Sequence, residues 1–201
     1  MEAIGMLRQQ FQTVNIRLNY VCGQIGPELL LSRVAPGANP VGFGLWHMAR
    51  TQDWGVNTAI RGVPEVAHRP VWTGSPLGRI PGIGTGFRPD EVDLVTASVD
   101  LPALVAYANE VHAEAFSWLG TLDEADLDVV PDVLGNMAGY PEYQRPEFVD
   151  EMSSGPEHDE AVAYRGGLPT WLLLTSVCVT HLHRHLGEID LTLGVLIGRA
   201  G

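Results

Sequence analysis

The sequence contains no lysine: all 12 of its basic residues are arginine. That absence excludes Schiff-base catalysis through a lysine amine and the phosphate-binding lysine of a P-loop. Cysteine is nearly absent. The two present in 201 residues, Cys22 and Cys178, sit in apolar surroundings and make no disulfide framework. Long hydrophobic runs are missing as well. The longest, Trp171 to Val179, is about half of the roughly 20 residues a membrane span needs, and Thr175 and Ser176 interrupt it. Positive charge is scarce, with 24 acids against 12 bases for a net charge of −12. An acidic chain without a basic cluster repels a phosphate backbone, so neither a nucleic-acid partner nor a membrane is expected. The first residues carry Glu2 and no apolar stretch, so they do not read as a signal peptide, and the expected location is the cytoplasm.

Hydrophobic residues make up 45% of the chain and charged residues 18%, enough for one sizeable core. The pattern in that apolar material is helical. Ile4, Leu7, Phe11, Val14, Leu18, Val21 and Ile25 recur at alternating steps of three and four, which predicts a long helix with one buried seam. A second helix is predicted from about Val41 to Arg61. There Val41, Leu45, Met48 and Ala59 form one stripe and Phe43, His47 and Trp54 another, so the helix is expected to be buried on more than one side. A third is predicted from Leu101 to Leu119, with Ser98 and Asp100 as candidate caps and Pro102 in the first turn. The last is predicted from about Thr170 to Arg199, with Trp171, Cys178, Leu182, Ile189 and Leu196 as its core stripe. Trp46, Trp54 and Trp171 read as packing residues. No stretch alternates as a strand does. The expectation is an all-α four-helix bundle, one domain over residues 1–201, with two long irregular connections.

The first connection, residues 62–90, holds six glycines and five prolines and reads as an ordered loop inserted between helices. Its Gly82, Gly84 and Gly86 do not make a phosphate loop, since no strand precedes them and no lysine follows. The second connection, residues 120–167, is acidic, with six acids and no arginine between Glu147 and Glu160, and reads as a solvated loop.

Seven histidines carry most of the chemical interest: His47, His68, His112, His158, His181, His183 and His185. On a helix, His181 and His185 stand about 40° apart and roughly 6 Å apart along the axis, so both imidazoles can reach one ion. They lie at the edge of the core stripe. His183 points about 180° from the pair and is excluded. His47 lies on a helix with apolar residues on both stripes, where an unpartnered ring is costly. His68, His112 and His158 read as loop or surface residues, His112 being the one best placed to approach a pocket. Glu188, one turn beyond His185, is either a partner of a histidine or a surface carboxylate. Cys178 reads as a core residue.

The segment Gly44-Leu-Trp-His47-Met-Ala-Arg-Thr-Gln-Asp53-Trp54 resembles the second-helix motif of the DinB-like superfamily, which includes bacillithiol transferases and mycothiol-dependent maleylpyruvate isomerases. His181-Leu-His-Arg-His185-Leu-Gly187-Glu188-Ile189 is similar to its last-helix motif. The order of elements fits over nearly the whole chain. The resemblance implies a four-helix bundle with one divalent metal, zinc or nickel, held by His47, His181 and His185 with an open fourth position. It further implies a small-molecule substrate, a low-molecular-weight thiol activated at the metal, and a transferase or isomerase reaction; a homodimer follows by the same analogy. A metal-dependent hydrolase and a non-catalytic metal-binding or stress-response bundle are the alternatives. The two connections depart from the family pattern, so substrate class does not carry over.

Overall fold

The computed structural model describes residues 2–149 and 167–198, and among them there is no strand. The fold is all-α. The helices lying wholly within the described residues are, in chain order, α1 (Ala3–Cys22), α2 (Val41–Asp53, running on through a π-helical stretch Trp54–Ile60), α3 (Pro70–Thr73), α4 (Pro76–Arg79), α5 (Pro89–Ser98), α6 (Leu101–Leu119), α7 (Val133–Met137) and α8. The last comprises Thr170–Thr175, a π-helical stretch Ser176–Thr180, and His181–Ile197. Among the four long helices, α1 packs on α6, α6 on α2, α2 on α8, and α8 back on α1.

The α1 seam turns inward as its spacing dictates: Leu7, Phe11, Val14, Leu18 and Val21 are buried while Ile16 and Tyr20 on the far side are exposed. Burying each large seam residue stabilises by about 1.5–3 kcal/mol. The helix stops three residues earlier than the seam. Gly23 N–H bonds back to Asn19 O at 2.9 Å, and Ile25 is buried from the turn that follows.

Helix α2 is enclosed on every side: each residue of Val41–Asp53 is buried. The long helices cover part of it, the segment 62–90 covers another part, and Leu30 and Thr96 lie against Gly42 near its start. That segment departs from the expected irregular loop by carrying short helical turns. It contains a 3-10 turn at Val66–His68 and the one-turn helices α3 and α4, each begun by a proline whose missing N–H is not needed there. Gly84 presses its backbone onto α2: φ is +97°, and a Cβ would sit 2.7 Å from the Phe43 ring. Only glycine fits both conditions. Helix α5 was not anticipated, because Pro89 reads as a loop residue although it occupies the first helical turn. Glu91 closes that turn by accepting from Arg88 N–H at 2.9 Å. Asp100 caps α6 as expected, accepting from Ala103 N–H at 3.0 Å.

The stripe drawn along α8 holds in its middle and fails at its ends. Cys178, Leu182 and Ile189 are buried, whereas Trp171 is 42% exposed and Leu196 43%. Trp171 is therefore not a packing residue, unlike Trp46 and Trp54, which are fully buried. The π-helical stretch between Trp171 and the histidines widens the turn, so a phase counted at a uniform 100° per residue is wrong on its far side. Leu196 lies in the last turn, near the end of the helix. Arg199, and residues 150–166 with most of the acidic run and His158, lie outside the described residues.

Candidate metal centre

Helices α2 and α8 pack against each other and bring three imidazoles together. His47 stands mid-way along α2, and His181 and His185 occupy the first turn after the π-helical stretch of α8. His47 Nε2 lies 3.0 Å from His181 Nε2, which lies 3.0 Å from His185 Nε2. All three Nε2 atoms point at one centre. His47 and His185 are buried and His181 is half-buried.

The other ring nitrogens decide where the protons sit. His47 Nδ1–H donates to the Ile83 carbonyl at 2.6 Å, and His185 Nδ1–H donates to Glu188 Oε2 at 2.7 Å. Both rings therefore turn an Nε2 lone pair inward. Arg184 Nη2 donates to His181 Nδ1 at 3.0 Å, which leaves the His181 proton on Nε2, between the two lone pairs. The set is consistent with three neutral rings. Burial, then the neighbouring rings, pushes the His181 pKa down to about 2. Burial, then His185, pushes that of His47 down to about 3. Burial lowers His185 too, against the opposing pull of Glu188.

The three ligand atoms lie within 4.8 Å of one another and could hold a metal ion. Tetrahedral ligands at a zinc–nitrogen distance of about 2.0–2.1 Å stand about 3.3 Å apart, close to the spacings seen. One proton moved from His181 Nε2 to Nδ1 makes all three rings into ligands. Two of the three already have the Nδ1–H partner that metal-bound histidines use to fix ring orientation. Glu188 is one of those partners. His183, two residues away, is exposed, as its helical phase requires.

The remaining histidines stand apart. His68 stacks on Tyr140. His112 is not a surface residue and does not approach the centre. It is buried between α6 and α1, with Nε2 3.3 Å from Gln12 Oε1. Cys178 is buried as expected, with its thiol pushed by burial to about 12.

One group of residues escaped the sequence reading. Arg50, Asp53, Glu65, Tyr107 and Tyr143 form an ionic knot, each at most 1% exposed. Arg50 pairs with Glu65 at 2.8 Å, and Tyr107 Oη–H donates to Asp53 at 2.6 Å. Asp53 also accepts from Val66 N–H at 2.9 Å and Ala67 N–H at 3.0 Å, tying down the segment that covers α2. Arg50 Nε–H donates to the Gly82 carbonyl at 3.1 Å, one residue from the carbonyl that orients His47. The available signal was a pair of opposite charges, Arg50 and Asp53, within a helix whose two stripes are both apolar.

No helix among the described residues is long and apolar enough to cross a membrane. None of the curated proteins matches the chain. The family model described as the DinB superfamily matches residues 10–189, a span that includes α2 and the histidine turn of α8. With nearly the whole chain matched and both histidine motifs inside the match, this protein belongs to the DinB superfamily.

Proposed function

We propose that His47, His181 and His185 bind one divalent ion, zinc or nickel, and that the centre serves thiol-dependent transfer or isomerisation of a small molecule. The supporting observation is the convergence of three Nε2 atoms, with two rings held by Nδ1–H bonds that free their lone pairs for an ion. A bound ion supplies Lewis acidity, which lowers the pKa of a thiol placed on it. The chain does the rest. The Ile83 carbonyl and Glu188 fix two rings, and burial keeps them neutral and able to ligate at pH 7. The half-buried His181 marks the side from which a small molecule arrives.

The test begins with elemental analysis of protein purified without an affinity tag, where about one divalent ion per chain is expected. His47→Ala, His181→Ala and His185→Ala should each lose it, and His183→Ala should keep it. Chelator-sensitive conjugation of a small thiol to an electrophile by the loaded protein then distinguishes catalysis from mere binding. Full ion content in all three ligand variants would place the metal elsewhere.

A further inference from the structure

Arg184 stands at the open side of the histidine cluster. The cluster reaches solvent past the half-buried His181 ring, and Arg184, itself exposed, leans on that ring with Nη2 3.0 Å from Nδ1. In a chain with twice as many acids as bases, most of the described arginines face a carboxylate. Arg184 faces none among the described residues. The carboxylate one turn along its helix, Glu188, is committed to His185 at 2.7 Å, and Asp190 is committed to Arg17.

The contact with His181 and ligation by His181 exclude each other. Arginine only donates, so Nδ1 must accept, and the proton of the neutral ring then sits on Nε2. A ligating Nε2 requires that proton on Nδ1, where it meets the guanidinium donor to donor. An ion at the centre would therefore turn Arg184 away from the ring, while the carboxylates on its own helix, Glu188 and Asp190, are already paired. A divalent ion on three neutral imidazoles would add two positive charges, with Glu188 the one carboxylate bonded to a ligand ring among the described residues. The entrance to the loaded centre is thus strongly positive, and its outermost group is a planar fork that matches a carboxylate in two parallel hydrogen bonds.

We propose that Arg184 holds the carboxylate of the molecule whose reacting atom goes to the centre, so that the substrate class is a small carboxylate-bearing thiol. This assignment rests on the three-histidine reading and goes one step past it.

The test uses full-length protein loaded with cobalt(II), whose absorption reports thiolate binding. It is titrated with 3-mercaptopropionate and with its neutral amide, in the wild type and in Arg184→Gln. The side chain is exposed, so the variant should fold and take up as much cobalt as the wild type. The expected result is a fall of about tenfold in the affinity for the carboxylate in Arg184→Gln, with the amide unchanged. Arg184→Lys should recover part of the loss, because it keeps the charge without the fork. Equal affinities in wild type and Arg184→Gln, a parallel loss for both thiols, or a loaded protein that binds neither would overturn the assignment of Arg184 alone. A wild-type protein that takes up no cobalt would overturn the three-histidine reading, and this assignment with it.

Discussion

Helix α2 carries two polar clusters less than one turn apart, and they are built on opposite plans. The knot around Arg50 is made of fixed charges, sealed from solvent, with four hydrogen bonds on Asp53 and two on Glu65 beside its ion pair with Arg50. The histidine cluster is made of neutral rings that share one movable proton and reach solvent at His181. Fixed charges in a sealed site cannot exchange partners, so they hold backbone in place. Neutral rings with lone pairs turned inward hold the covering segment at one point only, the His47 bond to the Ile83 carbonyl, and can accept an ion. The knot is scaffold, and the cluster is what the scaffold presents.

The comparison breaks most visibly if the knot is dispensable. Arg50→Met leaves Asp53 and Glu65 as buried carboxylates with no cation, and should cost about 3–5 kcal/mol in urea unfolding. A variant as stable as the wild type would mean that the knot does not hold the covering segment. Next in size is Glu188→Gln. It should weaken metal affinity by about 10–100-fold in a chelator competition, with little change in the stability of metal-free protein. A matching loss of stability there would make Glu188 part of the scaffold instead.

The third expectation concerns pH. The folded pKa values of His47 and His181, about 3 and about 2, lie below the ordinary value of 6.5. As pH falls below 6.5, the unfolded chain takes up protons that the folded rings refuse. The stability of metal-free protein is therefore complete above pH 6.5 and declines as pH falls toward 3. The loss between pH 6.5 and 5.5 should be about 1 kcal/mol per ring, less for the half-buried His181. An acid limb that survives His47→Ala unchanged would assign the loss to other groups. Smaller in consequence are the thiols. Burial pushes Cys22 and Cys178 to about 12, so neither should react with a thiol reagent until the protein unfolds. The smallest effect belongs to His183→Ala, which should stay within about 0.5 kcal/mol of the wild type and keep its metal.

The helical character of the fold and the meeting of the three histidines were legible in the sequence because both depend on spacing. A seam at steps of three and four must face one way, and residues four apart on a helix must share a face. What escaped depends on features that spacing does not encode. The π-helical stretch of α8 is a change of hydrogen-bond register, and the apolar pattern alone does not signal it; Trp171 was misplaced as a result. Helix α5 begins at a proline, which marks a turn as readily as a first helical residue. The knot draws on α2, α6 and two connections, and each of its charged members taken singly is an ordinary surface residue. His112 was placed outside because a histidine has no fixed preference, and its burial depends on how α1 lies across α6.

The two anchors of the histidine rings differ in how they can be lost. Glu188 orients His185 through its side chain, so one codon change removes the anchor. Ile83 orients His47 through its backbone, and every amino acid at position 83 presents the same carbonyl. That anchor survives any apolar substitution that fits the buried Ile83 site, and it depends on the backbone path set at Gly82 and Gly84 on either side, both with positive φ. Randomising the three codons should therefore return variation among apolar residues at the middle position, where the side chain is buried, and glycine at the two outer ones.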